Sequence, residues 1–181
     1  DPGEVKKGVE YVKKNWVFDK PCDDEIIEKG VKYALAIGMK VEERGYKAIS
    51  LIDVDGMKKL LGFPPAMVFM LLEEYYDVLT IPENDIMGAV TQLIGSAITG
   101  QMVPYMEYYE CFEKSMLIGV PDFIPKAITD GDIHVLPTAF GLLSGSLLNV
   151  SKPRTGLVTC LRLVYKDGKY YMHMYLANAK E

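Results

Sequence analysis

Cysteine is scarce in this chain and carries no pattern. Cys22, Cys111 and Cys160 lie far apart with no C-x-x-C pair, which argues against a disulfide framework or a structural zinc site and fits a reducing cytoplasm. Histidine is scarcer still, with only His134 and His173. Lys and Arg form no cluster, and the net charge is -5; both facts argue against nucleic acid or an anionic membrane as a partner. Residues 86–106 carry no charge but include Gly88, Thr91, Gln92, Gly95, Ser96, Gly100 and Pro104, so they read as a buried helix and strand rather than a membrane span. There is no G-x-G-x-x-G, no G-x-x-x-x-G-K-[ST], no H-E-x-x-H and no G-x-S-x-G. Dinucleotide, P-loop, zincin and serine-hydrolase readings therefore have no support. Asn149-Val150-Ser151 is a formal glycosylation acceptor, but without a signal peptide it reads as a chance match. The start at Asp1-Pro2, with no initiator Met, points to an excised or processed piece.

What is present is enough apolar material for a core, 49% of 181 residues. Val5, Val9, Val12 and Trp16 recur on one face between lysines, which predicts a surface amphipathic helix. Asp23 or Asp24 opens a second helix whose Ile27, Val31, Ala34, Leu35 and Val41 face inward until Gly45 closes it. Ala48–Ile52 reads as a strand that delivers Asp53 and Asp55 to its carboxyl end, and Phe63-Pro64-Pro65 starts a helix over 66–76. Val78–Ile81 is a second strand, residues 86–99 a helix stopped by Gly100, and Met102–Met106 a third strand. Strand and helix alternating in this way predict a parallel sheet with crossover helices over residues 1–104. Beyond, over 105–181, the pattern becomes antiparallel. Pro121, Pro125, Pro137 and Pro153 punctuate short runs such as Ile133–Leu136, and Asp167-Gly168 is the dipeptide a type I′ hairpin turn prefers. That turn sets Arg162 opposite His173, Leu161 opposite Met174 and Leu163 opposite Met172, giving one apolar and one polar face. His173 is then a residue of the solvated face, and His134, on an apolar run, a satisfied core residue.

The chemistry concentrates in Thr80-Ile81-Pro82-Glu83-Asn84-Asp85, at the carboxyl end of a strand, where ligands bind in open α/β sheets. Asn84 or Asp85 can cap the following helix. No cap requires Glu83. Asp53, Asp55, Glu83, Asp85 and Glu107 all fall at expected strand ends on one edge of the sheet, either as separate caps and turn residues of a polar rim or as one site. Carboxylates gathered without cysteine favour a hard divalent cation, Mn or Mg.

Pro82-Glu-Asn-Asp-Ile-Met-Gly-Ala-Val-Thr-Gln-Leu93, closing on Ile98-Thr-Gly100, resembles the segment of the L-fucose isomerases (related to the L-arabinose isomerases) in which an acidic pair opens a helix of the form G-A-x-T-x-x-L. Ala48–Asp55, Met102–Glu107, Gly131–Pro137 and Lys152–Thr159 with Asp167-Gly-Lys-Tyr170 are similar to successive strands of that family, so the likeness covers most of residues 46–176. It implies an α/β substrate-binding domain followed by part of a β-barrel domain, in a middle-to-C-terminal fragment of a homo-oligomeric, cytoplasmic enzyme. It implies the activity too: Mn-dependent interconversion of an aldose and a ketose, a small-molecule sugar being the partner. Asp85 matches the family's metal-binding Asp, and Asp55 lies near the position of its catalytic Glu, although Gly56-Met-Lys-Lys59 does not reproduce that motif. On this reading Asp55 and Asp85 are catalytic and hold the metal, while Glu83, Asn84 and Glu107 contact the sugar. The family's distal His ligand has no counterpart before Glu181, and the chain as given is expected to be inactive. The rival expectation is a non-catalytic sugar-binding or regulatory module. A structural α/β module that binds no metal is a third.

Overall fold

The computed structural model describes residues 1–120, 123–138 and 145–180; Pro121 and Glu181 lie outside them. In chain order the elements are α1 (Pro2–Asn15), β1 (Trp16–Phe18), α2 (Asp24–Arg44), β2 (Ala48–Ser50), a π-helical turn (Asp53–Lys58), α3 (Lys59–Leu61), α4 (Ala66–Tyr76), β3 (Leu79–Ile81), α5 (Ile86–Thr99), β4 (Glu107–Cys111), β5 (Met116–Gly119), a short 3-10 turn (Lys126–Ile128), β6 (Ile133–Leu136), β7 (Leu148–Asn149), β8 (Gly156–Lys166) and β9 (Lys169–Ala179). The protein is thus a mixed α/β molecule. Its described strands form a three-stranded sheet β1-β6-β7 and three two-stranded sheets, with no closed barrel among them.

Helix α4 is the centre of the core. Its first seven residues, Ala66–Leu72, are all buried, as are Phe63, Val31 and Ile27 around it. Glycines let the helices approach: a Cβ at Gly8 of α1 would lie 2.4 Å from Val31 Cγ1, one at Gly30 of α2 2.1 Å from Met67 Sδ, and one at Gly38 2.0 Å from the Tyr76 ring. At such contacts the missing side chain is what allows the backbones to close. Gly45, at φ 65°, ends α2 in the left-handed conformation that a β-carbon would penalise.

Two expectations are corrected here. The first helix ends at Asn15, and Trp16 turns extended (φ -113°, ψ 142°) to begin β1, which runs parallel to β6 with Trp16 opposite Ile133. Burying Trp16 between helices and this strand wins over continuing the helical repeat. Residues 102–106 carry no strand; pairing starts at Glu107, where β4 meets β5 antiparallel. Pro104 lacks the N–H a ladder needs, and the Val103 carbonyl instead accepts a hydrogen bond from Gln92 Nε2 at 2.9 Å.

Of the parallel sheet expected over residues 1–104, the described residues show one pair within that range: β2 and β3 run parallel, Ala48 opposite Leu79, with α4 between them in sequence. β8 and β9 form the long hairpin in the expected register, Arg162 opposite His173, Leu161 opposite Met174 and Leu163 opposite Met172. The turn residues Asp167 and Gly168 both have positive φ, 51° and 75°, as a type I′ turn requires. Helix α5 docks on this hairpin through Thr91, whose hydroxyl donates to the Met87 carbonyl at 2.7 Å and accepts the Leu163 N–H at 2.9 Å.

Candidate functional site: the carboxylates beyond β2 and β3

The segment between β3 and α5 is built around two consecutive residues in the left-handed region, Glu83 (φ 63°) and Asn84 (φ 55°). Asn tolerates that conformation; Glu does so only when its surroundings hold it there. They do so through the end of β2. The Asn84 N–H donates to the Leu51 carbonyl at 3.1 Å, and the Glu83 N–H donates to Asp53 Oδ1 at 3.0 Å. Asp53 is itself 2% exposed, and its second oxygen accepts from Lys58 Nζ at 3.2 Å, a lysine equally buried. The π-helical turn brings this lysine back over Asp53: Met57 N–H bonds to the Ile52 carbonyl at 3.0 Å, an i to i+5 closure that widens the turn by one residue. Buried Asp53 thus locks the backbone of Glu83 while the Glu83 side chain projects into solvent.

Asp85 caps α5, its Oδ1 accepting the Gly88 N–H at 2.9 Å. Gly88 is required by that cap, since a Cβ there would lie 2.6 Å from Asp85 Oδ2 and 2.3 Å from Ile81 Cδ1. The same carboxylate is gripped by Arg162 of β8: Nη2 donates to Oδ1 at 3.0 Å and Nη1 donates to Oδ2 in a short contact. This fork of two parallel N–H donors is the geometry in which arginine binds carboxylate most strongly. Glu107, at the start of β4, accepts from the Tyr105 hydroxyl at 3.0 Å.

These groups feel one another. Partial burial raises the Glu83 carboxyl above its usual range, and the charges of Asp53 and Glu107 raise it further against the opposing pull of Lys58. Asp85 goes the other way: burial pushes it up, but the hydrogen bonds from Arg162 and Gly88 outweigh burial and hold it below the usual range. The Tyr105 hydroxyl is raised by burial, then by its bond to Glu107, with Asp85 and Glu83 adding to the effect. Two neighbouring carboxyls with pKa values pushed apart are the arrangement from which acid/base assignments are read.

Glu83 feels the charge of Glu107, and the Tyr105 hydroxyl feels those of Glu107, Asp85 and Glu83, with exposed Asn84 beside Glu83 in the loop. Asp55 is exposed and paired with Lys59 one helical turn on; Asp53, two residues earlier, is the one that engages Glu83. Sequence spacing does not single out Arg162, Lys58 or Tyr105 for the site. Arg162 was legible only as a residue of the polar hairpin face; nothing in its spacing points to a partner 77 positions away. Lys58 depends on the π-helical turn, which has no sequence signature of its own. His134 is half-buried with its ring Nδ1 2.8 Å from Asp19 Oδ1, so its satisfaction comes from a carboxylate at the surface rather than from the core.

Manganese, implied by the family resemblance, meets a poor fit in this arrangement. Both Asp85 oxygens are committed to Arg162 and Gly88, Asp55 is committed to Lys59, and among the described residues no group of three or more His, Cys, Asp or Glu side chains is placed to hold a metal ion. Comparison with models of known protein families and with curated proteins finds no match. No helix among the described residues is long and apolar enough to cross a membrane.

Proposed function

We propose that the surface around the Glu83 loop binds a small sugar and interconverts its aldose and ketose forms by moving a proton between adjacent carbons through an ene-diol, with Glu83 as the proton carrier. The observation that carries this reading is Glu83 itself. A carboxyl exposed in a loop that costs backbone strain, held by a buried Asp53–Lys58 pair, and raised in pKa by partial burial and then by the charges of Asp53 and Glu107 is poised to take and return a proton. Glu107 and the Asn84 amide offer hydrogen-bond acceptors and donors suited to the hydroxyl groups of a sugar. The isomerase resemblance of the Pro82–Gly100 segment points to the same chemistry, and with it to a homo-oligomeric, cytoplasmic parent protein.

A second reading, a sugar-binding module without turnover, is favoured by one feature: Asp85, the residue the resemblance assigns to the metal, is held by an arginine.

The test is proton exchange at carbon 2 of an aldose in heavy water, followed by NMR with and without added Mn, on the protein and on Glu83→Gln. The proposed chemistry requires deuterium incorporation that Glu83→Gln reduces by at least about 100-fold, the scale of a general base. Sugar binding seen by line broadening with no exchange on any common aldose would leave the binding module as the function.

A further inference from the structure

Natural sheets guard their edge strands, because a free row of backbone N–H and C=O groups pairs with any other strand that reaches it. In the two antiparallel hairpins the guards are visible on every strand but one. β4 carries Glu107 and Glu110 with a break in register between Tyr108 and Glu110, and β5 is only four residues long. The outer edge of β8 is met by α5, the Leu163 N–H donating to the Thr91 hydroxyl at 2.9 Å. β9 has none of these devices. From Tyr170 to Ala179 it contains no Lys, Arg, Asp, Glu or Pro, it pairs with β8 residue for residue without a bulge, and among the described residues β8 is its only sheet neighbour. The register says which of its backbone groups are free. In an antiparallel pair, alternate residues turn their N–H and C=O groups toward the partner strand and away from it. Leu163 points its N–H away, so Met172 opposite it does the same on β9, and with it Tyr170, Met174, Leu176 and Asn178. The side chains of these five share one face, and Tyr170, Met174 and Leu176 are exposed on it. The hydrogen bond between the Tyr108 and Tyr175 hydroxyls, at 2.6 Å, belongs to the opposite face.

We infer that β9 is the contact strand of a homodimer: two copies pair their β9 edges antiparallel about a twofold axis at Met174, joining the two hairpins into one four-stranded sheet. In that register Met174 faces its own counterpart, Met172 faces Leu176 and Tyr170 faces Asn178. The pairs exchange about ten backbone hydrogen bonds, the number a specific interface usually carries. The contact is isologous and therefore closes at two copies. A second copy is the occupant the strand itself specifies. The register centred on Met174 pairs every free residue at once, sets apolar side chains against one another and brings no two charges together, since Lys169 and Lys180 fall outside it.

The test is sedimentation velocity over a concentration series, with amide hydrogen exchange at the same concentrations. The unaltered protein is expected to dimerise in the micromolar range, and the amides of Tyr170, Met172, Met174, Leu176 and Asn178 to become protected as it does. Met174→Lys sets lysine against lysine at the axis and should weaken the dimer about tenfold or more. Because Met174 is 63% exposed, the hairpin itself loses little by the change. Four results overturn the inference: a protein that stays monomeric, a dimer whose five amides exchange as freely as in dilute solution, a dimer that Met174→Lys leaves unchanged, or open-ended association into larger species. If Met174→Lys does not fold, hydrogen exchange in the unaltered protein decides alone. The inference does not depend on the role given to Glu83, and failure of sugar isomerisation would leave it untouched.

Discussion

Glu73 is the residue whose ionisation the fold resists most clearly. It lies in α4 next to Glu74; its Oε1 accepts from the Thr80 hydroxyl at 2.8 Å and from the Thr80 N–H at 3.3 Å, while its Oε2 is buried without a partner among the described residues. Burial lifts its carboxyl to about 8, despite the downward pull of the two Thr80 hydrogen bonds. At neutral pH the folded protein therefore holds a proton here that the unfolded chain does not. The stabilisation is fully present below the ordinary carboxyl range and is lost as pH rises through about 8. Melting temperature is expected to fall on going from pH 6 to pH 9. Glu73→Gln, which keeps an oxygen for Thr80 and cannot ionise, should flatten that dependence and melt higher than the unaltered protein at pH 9; a parallel fall in both would show that Glu73 is not the source. Because Thr80 precedes the Glu83 loop by three residues, this buried carboxyl also steadies the strand that presents the site.

At the scale of elements, close helix packing decides what can change. Gly→Ala in an exposed helix interior is ordinarily favourable by roughly 0.5–1 kcal/mol. Gly8 of α1 should behave oppositely, since its Cβ would meet Val31, fully buried and stiff at χ1 in its helix. Gly8→Ala is expected to cost about 1–3 kcal/mol in urea unfolding, the scale of overpacking in a tight core; a neutral or stabilising result would mean α1 can slide on α2. The elements themselves were largely legible because local rules and tertiary packing agree in them: α2 with its Gly45 stop, α5 between Asp85 and Gly100, and the hairpin whose Asp167-Gly168 turn fixes its register. Legibility fails where a contact distant in sequence overrides a local pattern. Trp16 continues a helical repeat but pairs with Ile133, and Met102–Met106 has strand composition yet gives the Val103 carbonyl to Gln92. The site divides in the same way. Glu83 and Asp85 stand out by position in the sequence, whereas Arg162, Lys58 and the preference for Asp53 over Asp55 come from geometry that spacing does not encode.

For the molecule as a whole, the parallel pairing of β1 with β6 joins residues 16–18 to residues 133–136, and β6 in turn pairs with β7 at Leu148 and Asn149. Early and late parts of the chain therefore complete one small sheet, and that sheet borders the α4 core through Ile133, Val135 and Leu147, all buried with Trp16 in the same apolar cluster. A three-residue strand has too few hydrogen bonds to stand alone, so β1 should remain paired only while the core is intact. The single tryptophan makes this testable, because Trp16 is 3% exposed and sits in β1 itself. Its fluorescence reports the sheet that spans the chain, while far-UV circular dichroism is dominated by the helices. In urea the two signals are expected to change with one midpoint, the mark of a cooperative transition, and a core substitution far from Trp16 in sequence, Leu147→Ala, should lower both midpoints together. The cost of that substitution is expected to be about 2–5 kcal/mol, since Leu147 is fully buried and its truncation leaves a cavity. Were Trp16 to become exposed at lower urea than the helices unfold, the pairing of β1 with β6 would be a separable attachment and the two ends of the chain would not share one core.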